Sequence, residues 1–285
     1  MSDVQCAPPY EPALGDDWKA RSLIHQHVEA FDATFAPGIG PPSAGPKTHA
    51  DESNVEFDSL LARKAINGDI LMIVANSGFF DFLASFVCRL KELGITNYVL
   101  VALDEELDAR LREHRIVDEW HRHHLGPAVD TLIDGTMTFN SQSYNRIVTT
   151  KVGYVQYALQ RGYSVVLSDI DIFLYRNPFP LFSRNADIEM ISDDLPSEST
   201  LYINMCTGFY YARPTARTLN LFKTWKERIV PDWNDQHIFN DAKYGIPLTV
   251  HVLNKAWYAS GATHLGLECG DLYWHQNVES GDTGV

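Results

Sequence analysis

The sequence predicts an α/β fold, a mixed and mostly parallel sheet flanked by helices, preceded by an N-terminal helical extension. Three observations predict it. Asp69–Ala75 (DILMIVA), Tyr98–Leu103 (YVLVAL) and Val165–Leu167 are apolar runs without polar alternation, the pattern of strands buried on both faces. Between the first two runs, Leu83, Phe86, Val87, Leu90 and Leu93 recur at helical spacing, so strand, helix and strand make a βαβ unit with a right-handed crossover. The three runs also end on Asn76, Asp104 and Asp169, at the carboxyl ends where open α/β sheets bind ligands.

The elements follow in chain order. Residues 1–15 are Pro-rich and read as extended. Asp17–Phe35 carries Ile24, Val28, Phe31 and Phe35 on one helical face. Residues 36–46 (APGIGPPSAGP) hold four prolines and three glycines, a linker or a wrapped loop. Residues 1–50 are therefore an extension and residues 51–285 the main domain. Phe57, Leu60, Leu61 and Ala65 mark a helix that Gly68 stops. Glu105–Arg115 is charged and reads as an exposed helix. Val148, Val152, Val155 and Leu159 mark a helix that feeds the Val165–Leu167 strand. Ile188–Ile191, Gly208–Tyr211 and Leu248–Leu253 are three further strand candidates. Leu219, Phe222, Trp225 and Ile229 form a helical face closed by Pro231.

Length and composition exclude several functions. With 285 residues, 45% of them hydrophobic, the chain can bury a sizeable core. Acidic residues outnumber basic ones 37 to 23, for a net charge of -14. That argues against a nucleic-acid partner and against a polybasic membrane anchor. An anionic ligand would be held through a metal instead of through lysines. Cys6, Cys88, Cys206 and Cys269 are scattered without a CxxC pair and read as neither a zinc site nor a disulfide framework. No apolar run approaches the roughly 20 residues of a membrane helix, and the first residues lack a signal-peptide pattern. A cytoplasmic location is expected, with the Golgi lumen as the alternative if an N-terminal anchor was removed.

The chemistry centres on residues 163–180 (YSVVLSDIDIFLYRNPFP). In extended chain, residues i and i+2 point to one side, so Asp169 and Asp171 face one spot. Two close carboxylates repel unless a cation sits between them or one takes a proton, and a hard divalent metal with oxygen ligands resolves this most simply. The plainer alternative for Asp169 is a strand-end turn carboxylate. His275, in YWHQN, offers a third ligand suited to manganese, against the reading of a partly buried histidine. Two clusters follow: Asn204–Gly208 (NMCTG) leads into a strand, and Asn234–Asn240 (NDQHIFN) opens a short helix. On spacing alone, Asp235 in that first turn is an ordinary helix-start residue.

In this order the segments resemble the nucleotide-diphospho-sugar transferases: a strand ending in DxD, Asn-x-x-x-Gly-Phe, a Trp-bearing helix, Asp-Gln-x-x-x-Asn and His-x-Asn. The chain is most similar to glycosyltransferase family 77, over roughly Phe57 to Asn277. The resemblance implies the GT-A fold, a Rossmann-like sheet with one active site, and a retaining transfer of galactose, xylose or arabinose. It implies that Asp169, Asp171 and His275 hold Mn2+ (or Mg2+) on the diphosphate of a nucleotide sugar, UDP-linked. It places Asn76 at the nucleotide, Asp104 at the base or ribose, and Lys151 near the donor. Asp193, Asp194 and Asn204, in the segment closed by Gly208, would meet sugar hydroxyls. Asp235 and Gln236 match the Asp-Gln pair below the anomeric carbon. The partner would be a hydroxyl acceptor on a glycan, a protein or a small molecule. Relatives tend to carry a Gly-x-x-Lys-like segment past His-x-Asn, whereas here Gly281 is followed by no lysine.

Two other readings compete. Haloacid-dehalogenase-type phosphatases also carry DxD after a strand. Here Phe173 stands where they have Thr or Val, with Asp193–Asp194 as their acidic pair and Lys223 or Lys226 as their lysine. A nucleotide-sugar-binding module without turnover is the third. WHRHHLG (His121, His123, His124) reads as a solvated helix end, and Phe209–Tyr211 as core strand, with Tyr211 or Trp233 as possible stacking surfaces for an acceptor.

Overall fold

A computed structural model of the chain describes residues 52–123, 142–193, 204–229, 235–254 and 258. They lie in the second of two units, Asp51–Val285. The expected extension over residues 1–50 and the boundary behind it lie outside the described residues, as do Asp194, Trp233 and His275.

Among the described residues, six α-helices and seven strands follow one another: α1 (Glu52–Lys64), β1 (Asp69–Ala75), α2 (Phe80–Glu92), β2 (Tyr98–Ala102), α3 (Glu105–His114), β3 (His121–Arg122), α4 (Gln142–Gln160), β4 (Ser164–Ser168), β5 (Ile188–Ser192), β6 (Met205–Ala212), α5 (Ala216–Arg228), α6 (Asp235–Lys243) and β7 (Val250–Val252). They build one sheet in the order β3-β2-β1-β4-β6-β5-β7. β1 sits at its heart with every residue buried, which is why its sequence shows no alternation. Its side chains still alternate between the faces. Ile70, Met72 and Val74 join a core with Phe57, Val155, Trp225 and Phe239, while Leu71, Ile73 and Ala75 join another with Leu83, Phe86 and Leu107. Helices therefore cover both sides. Gly68 and Gly162, at φ 82 and 87, turn the chain from α1 and α4 into the strands that follow them, in a conformation only glycine takes without cost.

The mostly parallel expectation holds, with one exception that positions the site. β1, β2, β3 and β4 pair in parallel, as do β5 and β7. β6 alone among them is antiparallel to its neighbours β4 and β5. Reversed, it enters the sheet at the end where β4 leaves it. Ser168, the last residue of β4, faces Phe209, so the residues that open β6 arrive beside Asp169.

Two readings of the sequence are corrected. His121 and Arg122 form the edge strand β3, paired to Val101 and Ala102, instead of a solvated helix end. The His121 ring lies 4.3 Å from that of Phe57, and His123 shares a 2.8 Å hydrogen bond with the Tyr154 hydroxyl. Cys88 is disulfide-bonded, whereas the scattered spacing suggested no bridge. Among the described residues no helix is long and apolar enough to cross a membrane.

The far edge of the sheet is fastened through one buried carboxylate. Asp187 accepts from Arg217 Nε at 2.7 Å, Thr215 Oγ1 at 2.7 Å and the Thr249 amide at 2.8 Å. Burial opposes its charge, but Arg217, the Thr249 amide and the Thr215 hydroxyl outweigh burial and hold the carboxyl below the ordinary range. A depressed folded-state pKa stabilises the fold above the unfolded value, about 3.9, and this is lost as pH falls through the folded value. Asp187→Asn is therefore expected to unfold at a lower temperature than the parent at pH 7, with the gap closing below about pH 4. Thermal scans across pH check this; a constant gap would contradict it.

Candidate active site

Asp169 follows directly on β4. Its amide donates to the Gly208 carbonyl at 2.7 Å, continuing the β4–β6 pairing by one residue. Ile170 and Asp171 then form a turn. This corrects the strand geometry expected of the pair: the chain leaves the sheet at Ser168, so extended i, i+2 alternation does not set the relation of Asp169 to Asp171. Electrostatics ties them instead. Partial burial first, then repulsion from Asp169, raises the Asp171 carboxyl above the ordinary range, with Lys151 opposing.

Lys151 comes up from α4. Its ammonium lies 2.7 Å from Asp169 Oδ1, with 8% of the lysine side chain and 32% of the aspartate side chain exposed. Gly208 meets the other carboxylate oxygen. A Cβ at this position would stand 3.0 Å from Asp169 Oδ2 and 3.6 Å from both Asp169 Cγ and Cys206 Sγ. The absence of a side chain thus lets the carboxylate lie against the β6 backbone. Because Lys151 and the Asp169 amide hold this residue from two sides, Gly208→Ala is expected to displace the carboxylate, and the donor binding that the family resemblance implies would then weaken about tenfold, roughly 1.4 kcal/mol. A UDP titration checks this, and binding equal to the parent would contradict it.

The reversed β6 brings a second set of groups alongside. Cys206 hydrogen-bonds Asp193, and its thiol is pushed up to about 12 by burial and by the charges of Asp193 and Asp169. It stays protonated near neutral pH, which disfavours it as a nucleophile. The Asp193 amide donates to the Asn204 carbonyl at 2.9 Å. Gln236 then bridges two elements: its Oε1 accepts from the Thr207 amide at 3.2 Å and its Nε2 donates to Asp193 Oδ2 at 2.8 Å.

Asp235 opens α6, where the helix dipole favours a carboxylate, and is 5% exposed. Thr207 Oγ1 donates to its side chain at 3.2 Å, and the Trp225 indole donates to its backbone carbonyl at 3.0 Å. Burial, and more weakly Asp169, raises its carboxyl above the ordinary range, while Lys151, Thr207 and the Gln236 amide oppose. Asn240, one turn beyond Gln236, acts as a surrogate strand for the open end of β6. It accepts from the Met205 amide at 2.9 Å, and its Nδ2 donates to the Met205 carbonyl and to Asn204 Oδ1, both at 2.9 Å. Lys243 donates to it as well.

One connected network thus holds Lys151, Asp169, Asp193, Asn204, Gly208, Asp235 and Gln236. Sequence reasoning did not single out Thr207, Cys206 or Asn240 as site residues. Asn240 closes the Asp-Gln-x-x-x-Asn segment, and Cys206 and Thr207 lie inside the Asn204–Gly208 cluster, but neither pattern gave these three a role. Asn76 and Asp104 follow β1 and β2, whose ends lie at the same edge of the sheet as that of β4. Asn76 is buried. Asp104 caps α3 by accepting the Leu107 amide at 2.6 Å, and its other oxygen accepts the Ser77 amide at 2.9 Å. The pair forms a bracket, and Gly78 and Phe79 in the same turn remain partly exposed. Among the described residues, no group of three His, Cys, Asp or Glu side chains converges as a metal site.

Comparison with known proteins bears on this arrangement. The family described as nucleotide-diphospho-sugar transferase matches residues 93–269, a span that includes the whole network. The chain is 28% identical over 220 residues to the arabinosyltransferase RRA2 of Arabidopsis thaliana, covering 69% of this chain and 49% of that protein. It is 26% identical over 247 residues to the beta-arabinofuranosyltransferase RAY1 of the same plant, covering 79% and 44%. To an A. thaliana UDP-D-xylose:L-fucose alpha-1,3-D-xylosyltransferase it is 22% identical over 285 residues, covering 90% and 73%. The chain spans about half the length of the two arabinosyl-transferring relatives.

Proposed function

The chain belongs to the nucleotide-diphospho-sugar transferase family, and from that premise we propose that it moves a sugar from a UDP-sugar to a hydroxyl acceptor, with retention of configuration. The observation that carries the proposal is the network at the end of β4, where Lys151 meets Asp169 and the reversed β6 ties in Asp235 through Thr207 and Asp193 through Gln236. The relatives' names, arabinosyl and xylosyl, make UDP-pentoses the first donors to try, with UDP-galactose next.

The carboxylates at the turn after β4 suit a hard divalent cation. Asp169 and Asp171 concentrate negative charge, which shows in the raised Asp171 carboxyl. They are a partial donor set among the described residues, to be completed by diphosphate oxygens and by His275. Manganese or magnesium held there would supply Lewis-acid stabilisation of the charge that leaves with the diphosphate.

The chain's own residues do the rest. Lys151 offsets the charge of Asp169 and keeps that side chain in place. Asp235 is a buried carboxylate whose charge burial disfavours, so a positive charge developing on the sugar ring nearby would stabilise it. Gln236 is committed at both ends, to Thr207 and to Asp193, and serves to position Asp193 for the sugar hydroxyls.

A second reading, a donor-binding module without turnover, is favoured by the lack of a convergent three-residue metal site among the described residues and by Lys151 already lying on Asp169. The phosphatase reading has no observation in its favour once the family is known. Incubation with a panel of UDP- and GDP-sugars, in manganese and then in chelator, separates the first two. The transferase reading expects metal-dependent release of sugar from one donor. UDP binding without release from any donor, acceptors included, would establish the inactive module.

A further inference from the structure

The segment that leaves the candidate site carries two aromatic rings on the outside of the molecule. Exposure alternates along it: Ile170, Ile172 and Leu174 pack against the core, whereas Asp171, Phe173 and Tyr175 face outward. Phe173 is 55% and Tyr175 52% exposed. The outward row begins at Asp171. Since chain spans at most about 3.6 Å per residue, Phe173 lies within about 7 Å of Asp171 and Tyr175 within about 14 Å, measured between α-carbons. That is the reach of one to two sugar rings from the reacting end of a donor.

The rings are held in place. Arg89, on α2, donates through Nε to the Leu174 carbonyl at 2.6 Å and through Nη2 to the Tyr175 carbonyl at 2.9 Å. Its guanidinium lies 5.1 Å from the Phe173 ring centroid and is itself anchored to Glu92 at 2.9 Å. The two rings meet nearly edge-to-face, with centroids 4.9 Å apart and planes at 74°. Exposing this much aromatic surface forgoes burial energy, yet three interactions of one arginine fix the backbone and the ring in that exposed arrangement. The result is a preorganised pair of exposed rings, two and four residues beyond Asp171.

We propose that Phe173 and Tyr175 form a stacking shelf for the acceptor, and that the acceptor is a neutral saccharide. The word acceptor rests on the transferase reading above. A pyranose or furanose presents a face of C–H groups that packs on an aromatic ring while its hydroxyls stay solvated. Asp171 opens the outward row, and Arg89 is committed to Glu92 and to the Leu174 and Tyr175 carbonyls, which disfavours an acidic acceptor. Tyr211, one of the stacking surfaces suggested by sequence, is 2% exposed and packs beside Phe182, so it offers no face to a ligand.

The test uses the full chain and a panel of methyl hexosides and pentosides, observed by saturation-transfer NMR, with a serine- and threonine-rich peptide as the competing chemistry. Saturation of ring C–H protons of at least one glycoside is expected. Phe173→Ser combined with Tyr175→Ser should weaken that binding at least about tenfold, the order of one or two aromatic stacking contacts. Phe173→Tyr should retain it. UDP titrated into the same samples should bind the parent and the double variant alike. If the parent binds no glycoside, or binds only the peptide, or if the double variant binds glycosides as the parent does, the shelf is wrong. Failure of the parent to bind UDP would instead overturn the donor reading, a separate outcome.

Discussion

Asp171→Ala is expected to lose metal-dependent UDP binding by at least about 100-fold while melting at the parent's temperature. The two halves of the expectation have different origins. Asp171 is exposed in the turn after Asp169, so truncating it opens no cavity. Although the residue is open to solvent, the protein packed about its carboxyl and the neighbouring Asp169 raise it, so removing it relieves repulsion and does not break a stabilising pair. What disappears is half of the proposed two-carboxylate donor set, and Lys151, already 2.7 Å from Asp169, cannot bind a cation in its place. Calorimetric titration of UDP in manganese, beside a thermal scan, reads both halves. Parent-like affinity in manganese would remove Asp171 from the site.

Trp225→Ala carries the largest expected cost in stability, about 3–5 kcal/mol, or roughly 10 °C in melting temperature. The indole is 1% exposed, with ring centroids 4.9 Å from Phe239 and 5.4 Å from Phe222, so α5 and α6 are joined to each other through it. It also donates to the Asp235 carbonyl at 3.0 Å, and that second role reaches the site. Trp225→Phe separates the two: it keeps most of the packing and removes the donor, for about 1 kcal/mol. Sugar release by the phenylalanine variant should fall by more than its small loss of stability accounts for, because the first turn of α6 holds both Asp235 and Gln236. Release unchanged in Trp225→Phe would confine the indole to a packing role.

The comparison of sequence with structure divides along physical lines. β1, β2 and β4 were legible because burial on both faces writes an unbroken apolar run, and α2 and α5 because a one-sided helix writes a period of 3.6. Strand direction leaves no such mark. β6 reads as a strand from Gly208–Tyr211, yet its reversal, which delivers Gly208 to Asp169 and Thr207 to Asp235 and Gln236, is decided by pairing with β4 and β5. β3 is two residues long, too short for any periodicity, and His121 in it reads as surface together with His123 beyond it. Asp104 falls within the acidic run 104–106, where charge alone suggests a solvated face; its capping of α3 and its hold on Ser77 depend on two chain segments meeting. The aspartates at the end of β4 were found by an argument about extended chain that the turn at Ile170 sets aside. The motif marks the place, and tertiary structure sets the geometry.

The account stands on a cation joining Asp169 and Asp171 to a nucleotide diphosphate. Electron paramagnetic resonance tests this most directly: manganese is added to the protein at a fixed low concentration, and UDP is titrated in. The account predicts that the free manganese signal falls to a plateau of one ion per chain as UDP binds, and that it does not fall in Asp171→Ala. A free manganese signal unchanged while UDP is shown to bind would contradict it. Charge neutralisation by Lys151 would then have to hold the diphosphate.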